Sequence, residues 1–309
     1  MTDLSPYFIA AVADAAAACR PWIGQGDKEA ADQAAVEAMR TRLQQAPMDG
    51  RIVIGEGERD EAPMLHIGEA LGAGGPAIDV AVDPLEGTNL CAENQPGAIC
   101  VLSYAPHGDL LHAPDIYMDK IAAGPGLTLD ADDMDRPIDD LIRRLAKVKG
   151  APLRVLMLDR PRHAAHMAAV KAAGASLSLI PDGDVMASLQ TALPQTTLPQ
   201  NDKAPTADLY IGTGGAPEGV LAASGLQHLG GTFIGRLNAT TPAEQARADR
   251  LNMGDLSKIY SASDLATPSS TLVMAGVTSH VLAGVRSHVA EVLTLSAKGL
   301  MRQDVALTP

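Results

Sequence analysis

The sequence predicts an α/β protein, and three observations carry that expectation. Short apolar runs end repeatedly in polar, glycine-containing turns, helical periodicities lie between several of them, and 309 residues with 46% hydrophobic content can bury a large core. That length also sets an expectation of two α/β domains, divided at the Gly150-Ala-Pro152 break into residues 1–149 and 150–309.

The first apolar run, Phe8-Ile-Ala-Ala-Val-Ala, is flanked by Asp3 and Asp14 and lacks the basic stretch that precedes a secretory signal core. Asp27 to Gln45 reads as a helix, because Val36, Met39 and Leu43 fall on one stripe with few breakers between them. Ile52-Val-Ile-Gly55, Ile78-Asp-Val-Ala-Val82 and Ala98-Ile-Cys-Val-Leu-Ser-Tyr104 then read as strands. An acidic, helix-poor stretch follows at 130–137, and a helix runs from it to Lys149. Beyond the break, strands are expected at 153–158, 177–180, 209–211, 232–234 and 271–275, with helices near 163–173 and 217–229.

Composition narrows the function. A formal charge of -13 and only 3% aromatic residues exclude a nucleic-acid partner, which needs a basic stripe or stacking platforms. No stretch approaches the roughly 18 apolar residues of a membrane span. Cys19, Cys91 and Cys100 show no C-x-x-C spacing, so neither a disulfide framework nor a zinc site is expected, and a reducing, cytoplasmic location fits.

Three expected strands run directly into acidic residues, and in open α/β sheets ligands bind at the carboxyl ends of strands. The first turn, Gly55 to Glu61, holds four carboxylates in seven residues, which a solvated acidic loop would also explain. In the second, Asp83-Pro-Leu-Glu-Gly-Thr88, Pro84 fixes φ and forces Asp83 to be extended, while Gly87 permits a sharp turn. Such a turn aims Asp83 and Glu86 at one point with the Thr88 hydroxyl beside them; a tight surface turn is the plainer reading. The third, Gly212-Thr-Gly-Gly-Ala-Pro-Glu-Gly219, does not have dinucleotide-loop spacing, and Pro217 with Glu218 is also good capping chemistry for a helix start. Clustered carboxylates repel one another unless cations neutralise them, and all-oxygen donors suit hard divalent ions.

Taken together with Asp32, Asp60-Glu-Ala-Pro-Met-Leu65, Ala113-Pro-Asp-Ile-Tyr-Met118, Pro161-Arg-His163 and Pro181-Asp-Gly-Asp184, these segments resemble class II fructose-1,6-bisphosphatase, some members of which also accept sedoheptulose 1,7-bisphosphate. The D-P-x-[DE]-G-[ST] element alone is shared with the wider lithium-sensitive superfamily, so inositol monophosphatases and nucleotide phosphatases are the alternatives, and a non-catalytic acidic metal-binding protein is the alternative of another class. The resemblance implies the layered α/β/α/β/α sugar-phosphatase fold and hydrolysis of the 1-phosphate of fructose 1,6-bisphosphate. It places two or more divalent ions, Mg²⁺ or Mn²⁺, on Asp32, Glu56, Asp83, Glu86 and Glu218, with Glu218 contributed by the C-terminal domain. It places substrate at Glu86, Gly87, Thr88, Tyr117, Pro161, Arg162, His163, Asp182, Gly183, Asp184 and Gly215. Thr88, Asp60, Lys28 and Glu56 are the catalytic candidates, His163 would donate to phosphate, and a homodimer or homotetramer is expected. The chain departs from the family pattern at Asn89, at Asp159-Arg160 and over Met274 to His280.

Overall fold

The computed structural model describes residues 3–57, 64–195 and 207–307. Along the chain run α1 (Ser5–Cys19), α2 (Lys28–Leu43), β1 (Asp49–Ile54), β2 (Ala70–Leu71), β3 (Ala77–Glu86), α3 (Thr88–Ala92), β4 (Ile99–Pro106) and β5 (Tyr117–Ala123). There follow α4 (Ile138–Lys149), β6 (Arg154–Leu158), α5 (Ala164–Ala172), β7 (Ser176–Ile180), α6 (Asp184–Gln190), β8 (Leu209–Gly215) and α7 (Ala216–Leu226). The last elements are β9 (Thr232–Asn238), α8 (Pro242–Arg250), β10 (Ile259–Ser261), α9 (Ala262–Leu265), β11 (Thr271–Gly276), β12 (Val289–Ser296) and β13 (Gly299–Ala306). The protein is therefore mixed α/β with two sheets, ordered β13-β12-β11-β4-β3-β1-β2 and β10-β9-β5-β8-β6-β7. Among the described residues no helix is long and apolar enough to cross a membrane.

The chain forms two compact units, and neither ends at residue 149: the first takes the chain up to His112 and again from Thr267, and the second takes most of what lies between. This differs from the expected division for two reasons. Leu141, Ile142 and Leu145 of α4 share a core with Val155 and Met157 of β6, so the break at 150 joins two neighbours within one unit. Burial of each of those three α4 side chains contributes about 2 kcal/mol, which favours keeping the helix on that sheet. The second reason is that β11 pairs antiparallel with β4 from Thr271–Tyr104 to Gly276–Ile99, which returns the C-terminal chain to the first sheet.

In the first unit α1 and α2 cover one face of the sheet. Phe8, Val12, Ala16, Met39 and Leu43 meet Val80, Val82, Leu102, Val273 and Ala275 there. Alanine does much of this packing, since Ala11, Ala13, Ala15 and Ala16 of α1 are all fully buried; small side chains let helices and sheet approach closely in a chain with few aromatics. Asp27 starts α2 by accepting the Ala30 N–H at 3.0 Å.

The first sheet is antiparallel except that β1 lies parallel to β3, so the carboxyl ends of these two strands share one edge. At that edge Pro84 has no N–H to donate, and the β3–β4 ladder slips between Asp83–Val101 and Glu86–Ile99. Residues three apart in a regular strand face opposite ways. The inserted residue puts Asp83 and Glu86 opposite partners only two apart, and so returns both to one side of the ladder. Gly87 then turns the chain at φ +81° into α3.

In the second unit β5 is antiparallel to both β8 and β9, whereas β6 runs parallel to β7 and β8. The start of β5 therefore lies beside the ends of β8 and β9, with Tyr117 opposite both Gly215 and Asn238.

Candidate active site

The edge formed by β1 and β3 carries the acids of the first unit. Glu56 follows β1, and its N–H donates to the Leu65 carbonyl at 3.1 Å. That approach requires glycine before it, because a Cβ on Gly55 would lie 1.9 Å from the Leu65 oxygen. Asp32, on α2, comes within hydrogen-bonding reach of the Glu56 carboxyl. Two carboxyls can meet in this way only by sharing a proton or a cation. Burial pushes Asp32 above the usual carboxylate range, and the bond from Glu56 only partly opposes it. Glu86 is 6% exposed and Asp83 half-buried. Thr88, the first residue of α3, is also half-buried, while Lys28 is exposed at the start of α2. Asp60 lies outside the described residues.

At the rim of the second sheet Arg162 is aimed by two partners. Its guanidinium lies 5.2 Å from the centroid of the Tyr117 ring, and Nε and Nη2 donate to the Thr213 carbonyl at 3.2 and 2.6 Å. Arg162 and its neighbour Pro161 are both exposed. His163 behaves differently from its neighbour. The Thr213 N–H donates to His163 Nε2 at 2.9 Å, so Nε2 carries no proton, and Nδ1 donates to the Leu158 carbonyl at 2.9 Å. Burial pushes this imidazole below its ordinary pKa, with the Leu158 bond opposing. Both nitrogens of this 1% exposed ring serve the backbone, so the ring itself does not donate to a phosphate.

On α6 and α7 the acids meet a buried cation that sequence reasoning missed. Asp184, the first residue of α6 after Gly183 at φ +92°, pairs with Lys120 Nζ at 2.6 Å. The same ammonium donates to the Gly215 carbonyl at 2.7 Å. Glu218 lies in the first turn of α7. Burial pushes its carboxyl up, Lys120 pulls it back, and Asp184 adds to the rise. The adjacent glycines make room, since a Cβ on Gly214 would lie 2.0 Å from Asp184 Oδ2 and one on Gly215 the same 2.0 Å from Glu218 Oε2. Asp182 is likewise raised by burial, and Arg160 Nη2 stands 3.9 Å from it. Asp119, also missed, accepts the Thr213 hydroxyl at 2.7 Å and the Asn238 amide at 3.3 Å. One signal for Lys120 was available, a charge directly before the apolar Ile121-Ala-Ala run that continues β5.

A model of the family described as bacterial fructose-1,6-bisphosphatase, glpX-encoded, matches residues 2–304. The chain belongs to this family. It is 42% identical over 257 residues to the class 2 fructose-1,6-bisphosphatase 1 of Escherichia coli (strain K12), covering 82% of this chain and 74% of that one. It is 40% identical over 289 residues to the D-fructose 1,6-bisphosphatase class 2/sedoheptulose 1,7-bisphosphatase of Prochlorococcus marinus (strain MIT 9313), covering 88% and 84%. The protein of the same description from Synechococcus elongatus (strain ATCC 33912 / PCC 7942 / FACHB-805) is 39% identical over 314 residues, covering 89% and 85%. As a class II fructose-1,6-bisphosphatase family member the chain is a phosphatase of carbohydrate metabolism.

Membership in this family implies dependence on a divalent metal, and the donor chemistry fits one. The proposed ligands Asp32, Glu56, Asp83, Glu86 and Glu218 offer oxygen alone, as hard divalent ions prefer. Glu218 Oε2 is buried with no hydrogen-bond partner among the described residues, an orphan that a cation would satisfy. The Asp32–Glu56 pair needs a proton or a cation between its carboxyls for the same reason. Among the described residues no group of three or more His, Cys, Asp and Glu is already gathered to hold a metal ion.

Proposed function

We propose that this chain hydrolyses the 1-phosphate of fructose 1,6-bisphosphate to give fructose 6-phosphate and phosphate, and that sedoheptulose 1,7-bisphosphate is a second substrate. The observation that carries the reading is the family match over residues 2–304, supported by relatives named for both activities. The layered α/β/α/β/α arrangement, a cytoplasmic location and assembly as a homodimer or homotetramer belong to the same reading and rest on the resemblance.

Asp32, Glu56, Asp83 and Glu86, with Glu218, would hold two or more Mg²⁺ or Mn²⁺ ions. Bound divalent ions supply positive charge for the phosphoryl oxygens and lower the pKa of a nucleophilic water. The chain's own groups do the rest. Glu86, Gly87 and Thr88 receive the departing phosphate, with the Thr88 hydroxyl and a neighbouring carboxylate orienting water toward phosphorus. Lys28, an exposed ammonium, offers charge to the same phosphate, and Asp60 is assigned to orient metal or water. Arg162, exposed and held by Tyr117 and Thr213, presents its remaining N–H groups to the phosphate that stays. Gly183, Asp182 and Asp184 face the sugar hydroxyls, and Pro161, His163 and Gly215 contribute backbone to the same rim.

The test is phosphate release with Mn²⁺ or Mg²⁺ from a panel of fructose 1,6-bisphosphate, sedoheptulose 1,7-bisphosphate, inositol 1-phosphate and 3′-phosphoadenosine 5′-phosphate. The bisphosphates are expected to turn over fastest and excess chelator to stop release. Faster turnover of inositol phosphate or the nucleotide would overturn the substrate assignment. Asp83→Ala is expected to remain folded and release no phosphate.

A further inference from the structure

Lys120 is 1% exposed, lies in the middle of a sheet, and makes both of its strong contacts to oxygen. Stability does not explain such a group. Burying an ammonium and a carboxylate costs several kcal/mol each, their attraction returns about that much, and apolar side chains of the same volume often do as well. The residues two before and two after Lys120, on the same face of its strand, are the apolar and buried Met118 and Ala122, which show what the position would otherwise hold.

What the ammonium does achieve is placement. It ties β5 to the first residue of α6 through Asp184 and to the β8–α7 junction through the Gly215 carbonyl, three residues before Glu218. Gly214 leaves the space for that tie, since a Cβ there would lie 3.2 Å from Lys120 Nζ as well as against Asp184. The donor set around Nζ, a carboxylate oxygen and a carbonyl oxygen with a second carboxylate nearby, is also one a divalent ion would take.

We propose that Lys120 is a positioning residue of the phosphatase reaction: a built-in cation that fixes Asp184 and the Gly215 carbonyl, keeps a divalent ion off that carboxylate, and holds it in place for the sugar. The assignment of Asp184 to the sugar rests on the functional reading above; the placement of the ammonium does not.

Two measurements on the full-length protein test it. Isothermal titration with Mn²⁺ counts ions without requiring turnover, and steady-state phosphate release separates KM from kcat. Lys120→Ala is expected to bind about one more Mn²⁺ per chain than the wild type, because it exposes two carboxylates and a carbonyl without their resident charge. Its KM for fructose 1,6-bisphosphate is expected to rise about tenfold or more, with the smaller change in kcat. Lys120→Arg keeps the charge and should restore the wild-type ion count. If Lys120→Ala does not fold, Lys120→Gln decides: its amide can donate to both oxygens but carries no charge, and the same rise in KM is expected. An unchanged ion count in folded Lys120→Ala overturns the proposal, as does an unchanged KM in Lys120→Gln. A wild type that turns over none of the bisphosphates sinks the functional reading instead, and the ion count still judges the built-in cation.

Discussion

Leu65 places its carbonyl oxygen where a side chain at position 55 would begin, 1.9 Å from the Cβ that any larger residue would carry there. The obstacle is backbone, so it cannot swing aside, and Gly55→Ala must displace either the Leu65 segment or Glu56 itself. We expect at least a hundredfold loss of phosphate release from this single methyl group, since misplacement of about 1 Å at a reacting centre has that effect. Thermal unfolding of the same variant should show a retained cooperative transition. His163 makes a contrasting case at the rim of the second unit. Its ring joins the Thr213 N–H to the Leu158 carbonyl, and His163→Ala leaves both backbone groups buried without that partner. The cost expected is about 2–4 kcal/mol, read by denaturant unfolding. Because the ring is neutral and does not face phosphate, the pH profile of kcat should stay where it is. His163→Ala with normal stability and a shifted pH profile would return the imidazole to the expected phosphate donors.

Helix α2 carries two candidate residues, Lys28 and Asp32, on a segment that Asp27 starts. Asp27→Ala removes the bond to the Ala30 N–H and is expected to lower stability by about 1 kcal/mol. Fraying at that end should reach Lys28 before Asp32, so KM is expected to rise before metal affinity falls; a titration of each in the variant checks the order. This helix was legible in the sequence because its apolar stripe is regular, and β1, β3 and β4 were legible because their buried runs are continuous. Glu56 after β1 and Asp83 near the end of β3 were legible as acids because those runs stop at them. Strand β5 was not, since Asp119 and Lys120 interrupt its apolar run, and only the pairing with β8 and β9 shows why charges sit there. The hairpin of β12 and β13 was missed too. Met301-Arg-Gln-Asp304 is mostly polar, and it is held as a strand by its ladder to β12, with Gly299 at φ +98° entering it. Neither Lys120 as a partner of Asp184 nor the commitment of both His163 nitrogens could be read from spacing, because Asp184 and Thr213 are distant in the chain and the Leu158 carbonyl is backbone.

Each unit has a carboxylate that fastens its chain segments and that acid should release. In the first, burial raises Glu291, but Arg302 at 2.6 Å and the Ala283 N–H outweigh it and hold the carboxyl below its ordinary value, across the β12–β13 pair. In the second, burial raises Asp208, yet Arg154 at 2.7 Å and Lys149 at 2.5 Å hold it down at about 2, which clasps the end of α4, the start of β6 and the residue before β8. A carboxyl whose folded pKa lies below its unfolded value stabilises the fold at any pH above the unfolded value, and that stabilisation is lost as pH falls toward the folded one. For Asp208 the window is therefore from about pH 4 down to about pH 2, and the contribution at neutral pH is about 2 kcal/mol. Urea unfolding of the metal-free protein should accordingly weaken through this range. Asp208→Asn is expected to lose most of that contribution already at pH 7 and to show a flatter dependence below pH 4, with the effect confined to the unit that contains it. Far-ultraviolet circular dichroism follows the whole molecule, while the ring of Tyr260, in β10 of the second unit, reports on that unit. A variant whose stability still falls as steeply as the wild type's between pH 4 and pH 2 would show that the clasp at Asp208 is not what acid undoes there.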